Sequence, residues 1–229
     1  MTVTPTTLTR AAGVAAVLSG LLFIGVQINH PAMDVASVTT NEWAVRNSLK
    51  VVMAALALAG IAGMYLSQVR KTGLLGLLGY LVLSTGYLIM LSVAFVSAYV
   101  LPSLADAAPT YVSDVLAAAS ASGDVTGDIG LMATALLLSG ITYVAGGLIF
   151  GIALFRAGVL ARWAAALLAV ATVASLAIPL VPQFERLFAI PTGIALAGLG
   201  YSLWRAHRTP AARTVPSPLG ERLDPADAR

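Results

Sequence analysis

Residues 72–105, TGLLGLLGYLVLSTGYLIMLSVAFVSAYVLPSLA, contain no Asp, Glu, Lys or Arg. Crossing about 30 Å of hydrocarbon at about 1.5 Å per residue takes roughly 20 mostly apolar residues. This run is long enough for one span and too short for two spans plus a turn. Five further uncharged runs are long enough to cross: 11–33, 51–69, 129–155, 163–184 and 187–204. The pattern predicts an all-α, integral membrane six-helix bundle. Its spans fall at about 11–30, 47–68, 73–101, 129–155, 163–181 and 187–205, one domain over 1–206. The remainder, 207–229, holds Pro210, Pro216, Pro218 and Pro225 among charged residues and reads as a disordered cytoplasmic tail.

Composition agrees. Of the 229 residues 59% are hydrophobic and 10% charged, against about 25% charged in an ordinary soluble domain. Cysteine is absent, which removes disulfides, thiolate nucleophiles and Cys-ligated metals. The positions of the basic residues predict orientation. If the spans alternate, one side holds Arg10, Arg70, Lys71, Arg156, Arg162, Arg205, Arg208, Arg213, Arg222 and Arg229, and the other only Arg46, Lys50 and Arg186. By the positive-inside rule both termini are expected in the cytoplasm. The first apolar run exceeds a signal-peptide core and no clear A-x-A site follows it, so it is expected to be retained as a span.

Between spans, Arg70–Lys71 are expected to form a tight cytoplasmic turn, with Gly73 opening the third span. The 102–128 segment is the one sizeable loop. Within it, Thr110 can cap a short amphipathic helix, Tyr111 to Ser122, stopped by Gly123. Tyr111, Val112, Val115, Leu116 and Ala119 would share one face, and Asp114 gives no attraction to anionic lipid, so the helix is expected to dock on the bundle. Pro179 and Pro182 are expected to end the fifth span, followed by a very short outer turn at Glu185–Arg186. Leu18-Ser19-Gly20 echoes Leu138-Ser139-Gly140, each with an aromatic three residues on, Phe23 or Tyr143. The first and fourth spans cross in opposite senses, so a real repeat would be an inverted 3+3 architecture.

Small residues four apart mark helix-packing seams in lipid. Ala12-x3-Ala16-x3-Gly20, Ala55-x3-Ala59-x3-Gly63, Gly147-x3-Gly151 and Gly193-x3-Ala197 are such series. They predict a tight bundle or a homo-oligomer seam. The two histidines, His30 and His207, are expected on opposite membrane faces, which leaves no shared metal or haem site within one subunit. There is no HExxH and no G-x-S-x-G motif. Ser19 and Ser139 are expected to bond back to their own helices. No acid or histidine lies mid-span, which argues against proton relays. Polarity inside the spans comes from residues such as Ser84, Tyr87, Thr142 and Tyr143, expected to make interhelical hydrogen bonds. No catalytic, metal or cofactor-binding residue is assigned, and nothing points to nucleic acid.

The densest polar group lies at the predicted outer surface: His30, Asp34, Glu42, Trp43, Arg46, Lys50, Glu185 and Arg186, with Gln27, Asn29, Asn47 and Gln183 nearby. Lys50, about one turn inside its span, is expected to snorkel or to pair with Glu42, Asp34 or Glu185. The set reads as a solvated rim of local ion pairs, or as an outward-facing pocket for a small or lipid-headgroup ligand under the 102–128 loop. The segment Leu154-Phe155-Arg156-Ala157-Gly158-Val159-Leu160-Ala161-Arg162-Trp163-Ala164-Ala165, the loop from Ser37-Val38-Thr39-Thr40 to Trp43, and the run from Tyr80 to Leu91 are similar to actinobacterial multi-pass membrane proteins of the DUF4386-like type. That resemblance implies a cell-membrane location and no activity, ligand or catalytic residue. The sequence thus favours a non-enzymatic membrane protein, structural or ligand-sensing, with the bilayer as its partner. A small permease or flippase for an apolar or lipid-like substrate is the alternative.

Overall fold

The computed structural model describes residues 4–120 and 125–207, with the side chains of Pro182, Gln183 and Glu185 left undescribed. The tail from 208 on, the expected stop at Gly123 and any pairing by Glu185 therefore lie outside the described residues. All regular structure among the described residues is helical: α1 (Pro5–Gly25), α2 (Val35–Val38), α3 (Asn41–Leu66), α4 (Val69–Tyr99), α5 (Leu101–Leu104), α6 (Pro109–Ala119), α7 (Leu131–Ala157), α8 (Arg162–Ala174) and α9 (Ala189–Ala206). Two 3-10 stretches, Ser175–Leu180 and Pro182–Phe188, join α8 to α9. Six segments are long and apolar enough to cross a membrane, based on α1, α3, α4, α7, α8 and α9.

Capping chemistry carries several helices beyond their uncharged runs. Thr4 accepts the amide of Thr7 ahead of Pro5, so α1 starts six residues before the apolar run. Thr40 accepts the amide of Trp43, and Glu42 sits favourably in the first turn of α3. Lys50 therefore lies more than two turns along α3, which begins earlier than the span expected from about residue 47. Arg70 and Lys71 lie in a single helical turn between the turn at Ser67–Gln68 and the break at Gly73, within the connection from α3 to the long part of α4. Gly73, at φ 57°, then breaks α4 where the third span was expected to begin. Gly158, at φ 63°, ends α7 in the left-handed conformation that suits glycine.

Two local expectations are corrected. Helix α6 starts at Pro109, with no side-chain cap from Thr110, because proline at the first turn loses no hydrogen bond. The fifth span leaves α geometry at Ala174, five residues before Pro179, and continues as 3-10 turns through Glu185–Arg186 where a short turn was expected. The missing amide of Pro179 and its clash with the preceding turn disfavour α geometry over those residues.

Each spanning helix packs on its neighbours in sequence, and α9 returns to α1, closing a ring. The closest crossings are α1 with α9 and α4 with α7, both antiparallel. Gly13 lies against Gly200 and Gly20 against Gly193; Gly79 lies against Phe150 and Gly86 against Tyr143. A shared pattern, glycine, six residues, glycine, tyrosine, occurs at Gly79–Gly86–Tyr87 on α4 and at Gly193–Gly200–Tyr201 on α9. The echoed tripeptides behave differently: Gly20 is pressed on α9, whereas a Cβ on Gly140 would meet open space. Most small-residue seams are consumed inside the chain, as with Gly63 on Ala12 and Gly151 on Ala165 and Ala169; Ala55 and Ala59 face outward.

The outward faces carry exposed apolar residues along every span, Leu74, Leu137, Val170 and Leu176 among them. Such a surface is far larger than a soluble monomer tolerates, and lipid is its natural solvent. The interior is packed with residues such as Ile61, Met64, Leu83, Phe150, Leu168 and Leu199. Ser19 donates to Met53 O on α3 at 2.9 Å, a bond between helices where one within its own helix was expected. Of the polar residues expected to bond between helices, Tyr143 reaches Thr192 across to α9 at 2.9 Å, whereas Thr85, Ser92 and Thr142 bond back to carbonyls of their own helices. The Tyr87 hydroxyl is fully buried and has no hydrogen-bond partner among the described residues. Tyr87→Phe is therefore expected to leave melting unchanged or raise it, since an unmatched buried hydroxyl costs about 1–3 kcal/mol. A clear fall in the melting temperature in detergent would contradict this.

Candidate functional site: a crevice at the α6 end of the bundle

One end of the bundle gathers the C-terminal ends of α1 and α4, the N-terminal ends of α3, α7 and α9, and the 3-10 segment. Helix α6 lies over this end. Val112, Val115 and Leu116 pack on Trp43, Leu101 and Val38, so α6 docks on the bundle as its apolar face predicts. Asp114 accepts from Thr126 N and Oγ1 and from Gly127 N, at 2.9, 3.0 and 3.0 Å. These bonds, that of the Thr126 amide first, hold its carboxyl below the usual range and tie α6 to the entry of α7.

Beneath α6 lies a crevice of about 680 Å³, with an adjoining cavity of about 310 Å³ that shares Phe23, Gln27, Met33, Lys50 and Met90. The crevice exists because α8 stops short. Its 13 α-helical residues span about 20 Å, and Ser175, Leu176, Ile178 and Pro179 of the 3-10 continuation line the crevice together with α7. The gap opens sideways between α7 and this segment: Leu137, Ile141 and Leu176 line it while remaining 65%, 53% and 65% exposed on the lipid-facing surface. Gly140 forms part of the wall and leaves the passage clear.

The polar end is built around His30. Asn29, at φ 52°, turns the chain after α1, a conformation asparagine tolerates better than most residues. His30 Nε2 then lies 2.9 Å from Lys50 Nζ, Nδ1 lies 2.8 Å from Pro31 O, and Arg186 donates to His30 O at 3.2 Å. Burial, with Lys50 next in weight, lowers the His30 pKa to about 4. A neutral ring that donates from Nδ1 and accepts at Nε2 satisfies both contacts. The linkage follows. Between about 4 and the ordinary 6.5 the unfolded chain binds a proton that the folded chain excludes, so stability rises with pH across that window. The melting difference between wild type and His30→Gln should be constant above pH 6.5 and shrink as the pH falls towards 4; no change with pH would contradict it.

Of the eight rim residues singled out in the sequence, His30, Lys50 and Arg186 come together at the crevice. Trp43 stands beside His30, with ring centroids 6.2 Å apart, and lines the adjoining cavity. The other described members serve local structure. Arg46 donates to Val26 O and Ile28 O at the exit of α1 and to Glu42 at 2.9 Å, while Asp34 caps α2. The carboxylates expected to hold Lys50 are thus engaged elsewhere, apart from Glu185, whose side chain is not described. Met33, Met90, Leu136 and Leu176 line the two cavities and were not singled out, and Gly140 was noted only for the repeat; as site residues they are indistinguishable in sequence from other lipid-facing or packing residues. Among the described residues no group of three or more His, Cys, Asp or Glu could hold a metal ion.

The fold and crevice together define the class: an α-helical bundle built for a membrane, with a side opening at one end. Comparison with protein-family models, with curated proteins and with solved structures gave no match in any of the three.

Proposed function

We propose that this chain is a non-enzymatic, ligand-binding protein of a bacterial cell membrane that admits a lipid-like molecule sideways from the bilayer into the crevice beneath α6. The observation that carries this reading is the crevice itself. Its volume of about 680 Å³ falls within the roughly 300–1,000 Å³ of small-molecule sites, and its mouth lies among exposed apolar side chains. Non-α backbone at membrane depth is tolerated where it lines a cavity or is buried in protein, which suits the 3-10 segment. The ten-to-three distribution of basic residues supports cytoplasmic termini and an outward-facing crevice. For a homo-oligomer, Ala55 and Ala59 remain as an outward-facing small-residue stripe. The DUF4386-like resemblance is compatible with this reading and adds no ligand to it.

The experiment is native mass spectrometry and thermal unfolding of protein purified from membranes. Retention of a bound amphiphile by wild type, and its loss in Gly140→Phe, is the expected result. A wild-type protein that retains none and is stabilised by none would end this reading. A second reading, a permease or flippase, is favoured by the matched pair of close antiparallel crossings and by the glycine–tyrosine pattern shared between α4 and α9. An inverted repeat of that kind allows the crevice to close at one end and open at the other. Transbilayer movement of a fluorescent lipid in proteoliposomes would favour it, and none above empty vesicles would remove it.

A further inference from the structure

Several hydroxyls within the spans are used up on backbone carbonyls, as at Ser19, Thr85, Ser92 and Thr142. The cavity adjoining the crevice is different. It is walled by α1, α3, α4 and α7 and roofed by Val115 and Leu116 of α6. Asn47 of α3, Gln27 at the exit of α1, Ser97 of α4 and Ser139 of α7 all line it. Asn47 is 3% exposed, and its Nδ2 donates to Trp43 O at 3.0 Å. Among the described residues its Oδ1 accepts nothing, and the Gln27 amide and the Ser97 and Ser139 hydroxyls make no hydrogen bond. Ser84 and Tyr87 also lack partners among the described residues, but they line neither cavity. Polar groups left unmatched in an enclosed space are destabilising, so four converging on one cavity mark it for a polar occupant. Ordered water is the competing occupant. Amides and hydroxyls each offer both a donor and an acceptor. A ligand hydroxyl answers both, whereas an ester oxygen only accepts. From this cavity Met90 and Leu136, which line both spaces, lead to Leu137, Ile141 and Leu176 at the lipid-facing mouth.

We propose that the adjoining cavity binds the uncharged, hydroxylated head of a single-chain lipid of the monoacylglycerol class, whose chain runs past Met90, Leu136 and Gly140 to the opening beside Leu176. This rests on the reading of the crevice as a ligand site and adds the place and chemistry of the head. At about 310 Å³ the cavity suits a compact head, being at the lower end of the range for small-molecule sites. An uncharged head enters such an enclosure without the desolvation cost of an ion. Lys50 and Arg186 have contacts of their own, to His30 Nε2 and His30 O, and are not needed to hold it.

The test uses full-length protein in a nonionic detergent, titrated with monoolein, methyl oleate, oleate and oleylamine. Binding is read by thermal shift and native mass spectrometry. Monoolein is expected to bind roughly tenfold or more tightly than methyl oleate, the scale of one or two neutral hydrogen bonds, and more tightly than oleate or oleylamine. Ser139→Ala breaks no hydrogen bond among the described residues. It should fold normally, weaken monoolein about threefold or more, and leave methyl oleate unchanged. Asn47→Leu, which keeps the side-chain volume, should act in the same direction. Gly140→Phe, which enters open space, should fold normally and bind none of the four. Equal binding of monoolein and methyl oleate, both blocked by Gly140→Phe, would overturn the hydroxylated head, leave the cavity to water and keep the ligand site. Tighter binding of oleate or oleylamine than of monoolein would overturn the uncharged head. Monoolein binding undiminished by both Ser139→Ala and Asn47→Leu would overturn its placement. No binding by wild type, or binding that survives Gly140→Phe, would overturn this proposal and the ligand site together.

Discussion

Gly146→Val is expected to lower the melting temperature sharply, and Gly140→Val, six residues earlier on the same helix, is expected to leave it nearly unchanged. A Cβ on Gly146 would run into the backbone nitrogen of Leu83 and come within 2.5 Å of its Cα. Backbone cannot rotate away as a side-chain tip does, so α4 and α7 would have to separate along one of the two closest crossings. Overpacking of this kind costs about 1–3 kcal/mol and occasionally more, and the rigid neighbour places this site at the upper end. Helix association in lipid depends on such close approach, since apolar burial gives no preference for helix over lipid tail. Gly140 meets nothing, and valine has a better helix propensity than glycine, so its replacement should stay within about 0.5 kcal/mol. Thermal unfolding of both variants in one detergent decides the matter; equal effects would show that the crossing is not as close as described.

Trp43→Ala is expected to cost about 3–5 kcal/mol, the range for truncating a large buried aromatic residue. Trp43 is 1% exposed and belongs to the apolar cluster that seats α6 on the bundle. Its Nε1 donates to Ser97 O at 2.8 Å, tying α3 to the end of α4. The loss should loosen α6 before it loosens the spans, because the α6 cluster is separate from the main core. Hydrogen exchange should then show early opening of Pro109–Ala119 while α4 and α7 stay protected. Trp43→Phe keeps most of the packing and loses the hydrogen bond to Ser97, so a smaller drop is expected. A wild-type-like melting curve for Trp43→Ala would contradict the anchoring role.

The site was only partly legible in sequence. His30, Lys50 and Arg186 stood out because charged or titratable groups are costly near hydrocarbon and therefore few. Their convergence depends on the left-handed turn at Asn29 and on the 3-10 path that brings Arg186 beside His30. Arg46 and Glu42 looked equivalent to them and proved to be a helix-end clamp and its partner, because which carbonyls lie within reach depends on how α1 ends. The crevice wall was illegible for a different reason. Outward-facing leucine serves lipid contact and cavity lining equally well, and Gly140 and Gly146 are the same letter.

Six uncharged runs, read by length alone, determined that the chain forms six apolar helices, since hydrocarbon excludes charge and demands internally satisfied backbone. Cap residues at Thr4 and Thr40 set where two of those helices begin. Tertiary structure alone decided which glycines pack, which polar groups meet, and that the proline-bearing segment after α8 leaves an opening beside α7. Those outcomes depend on the distance between chain segments far apart in sequence, which local hydrophobicity does not encode.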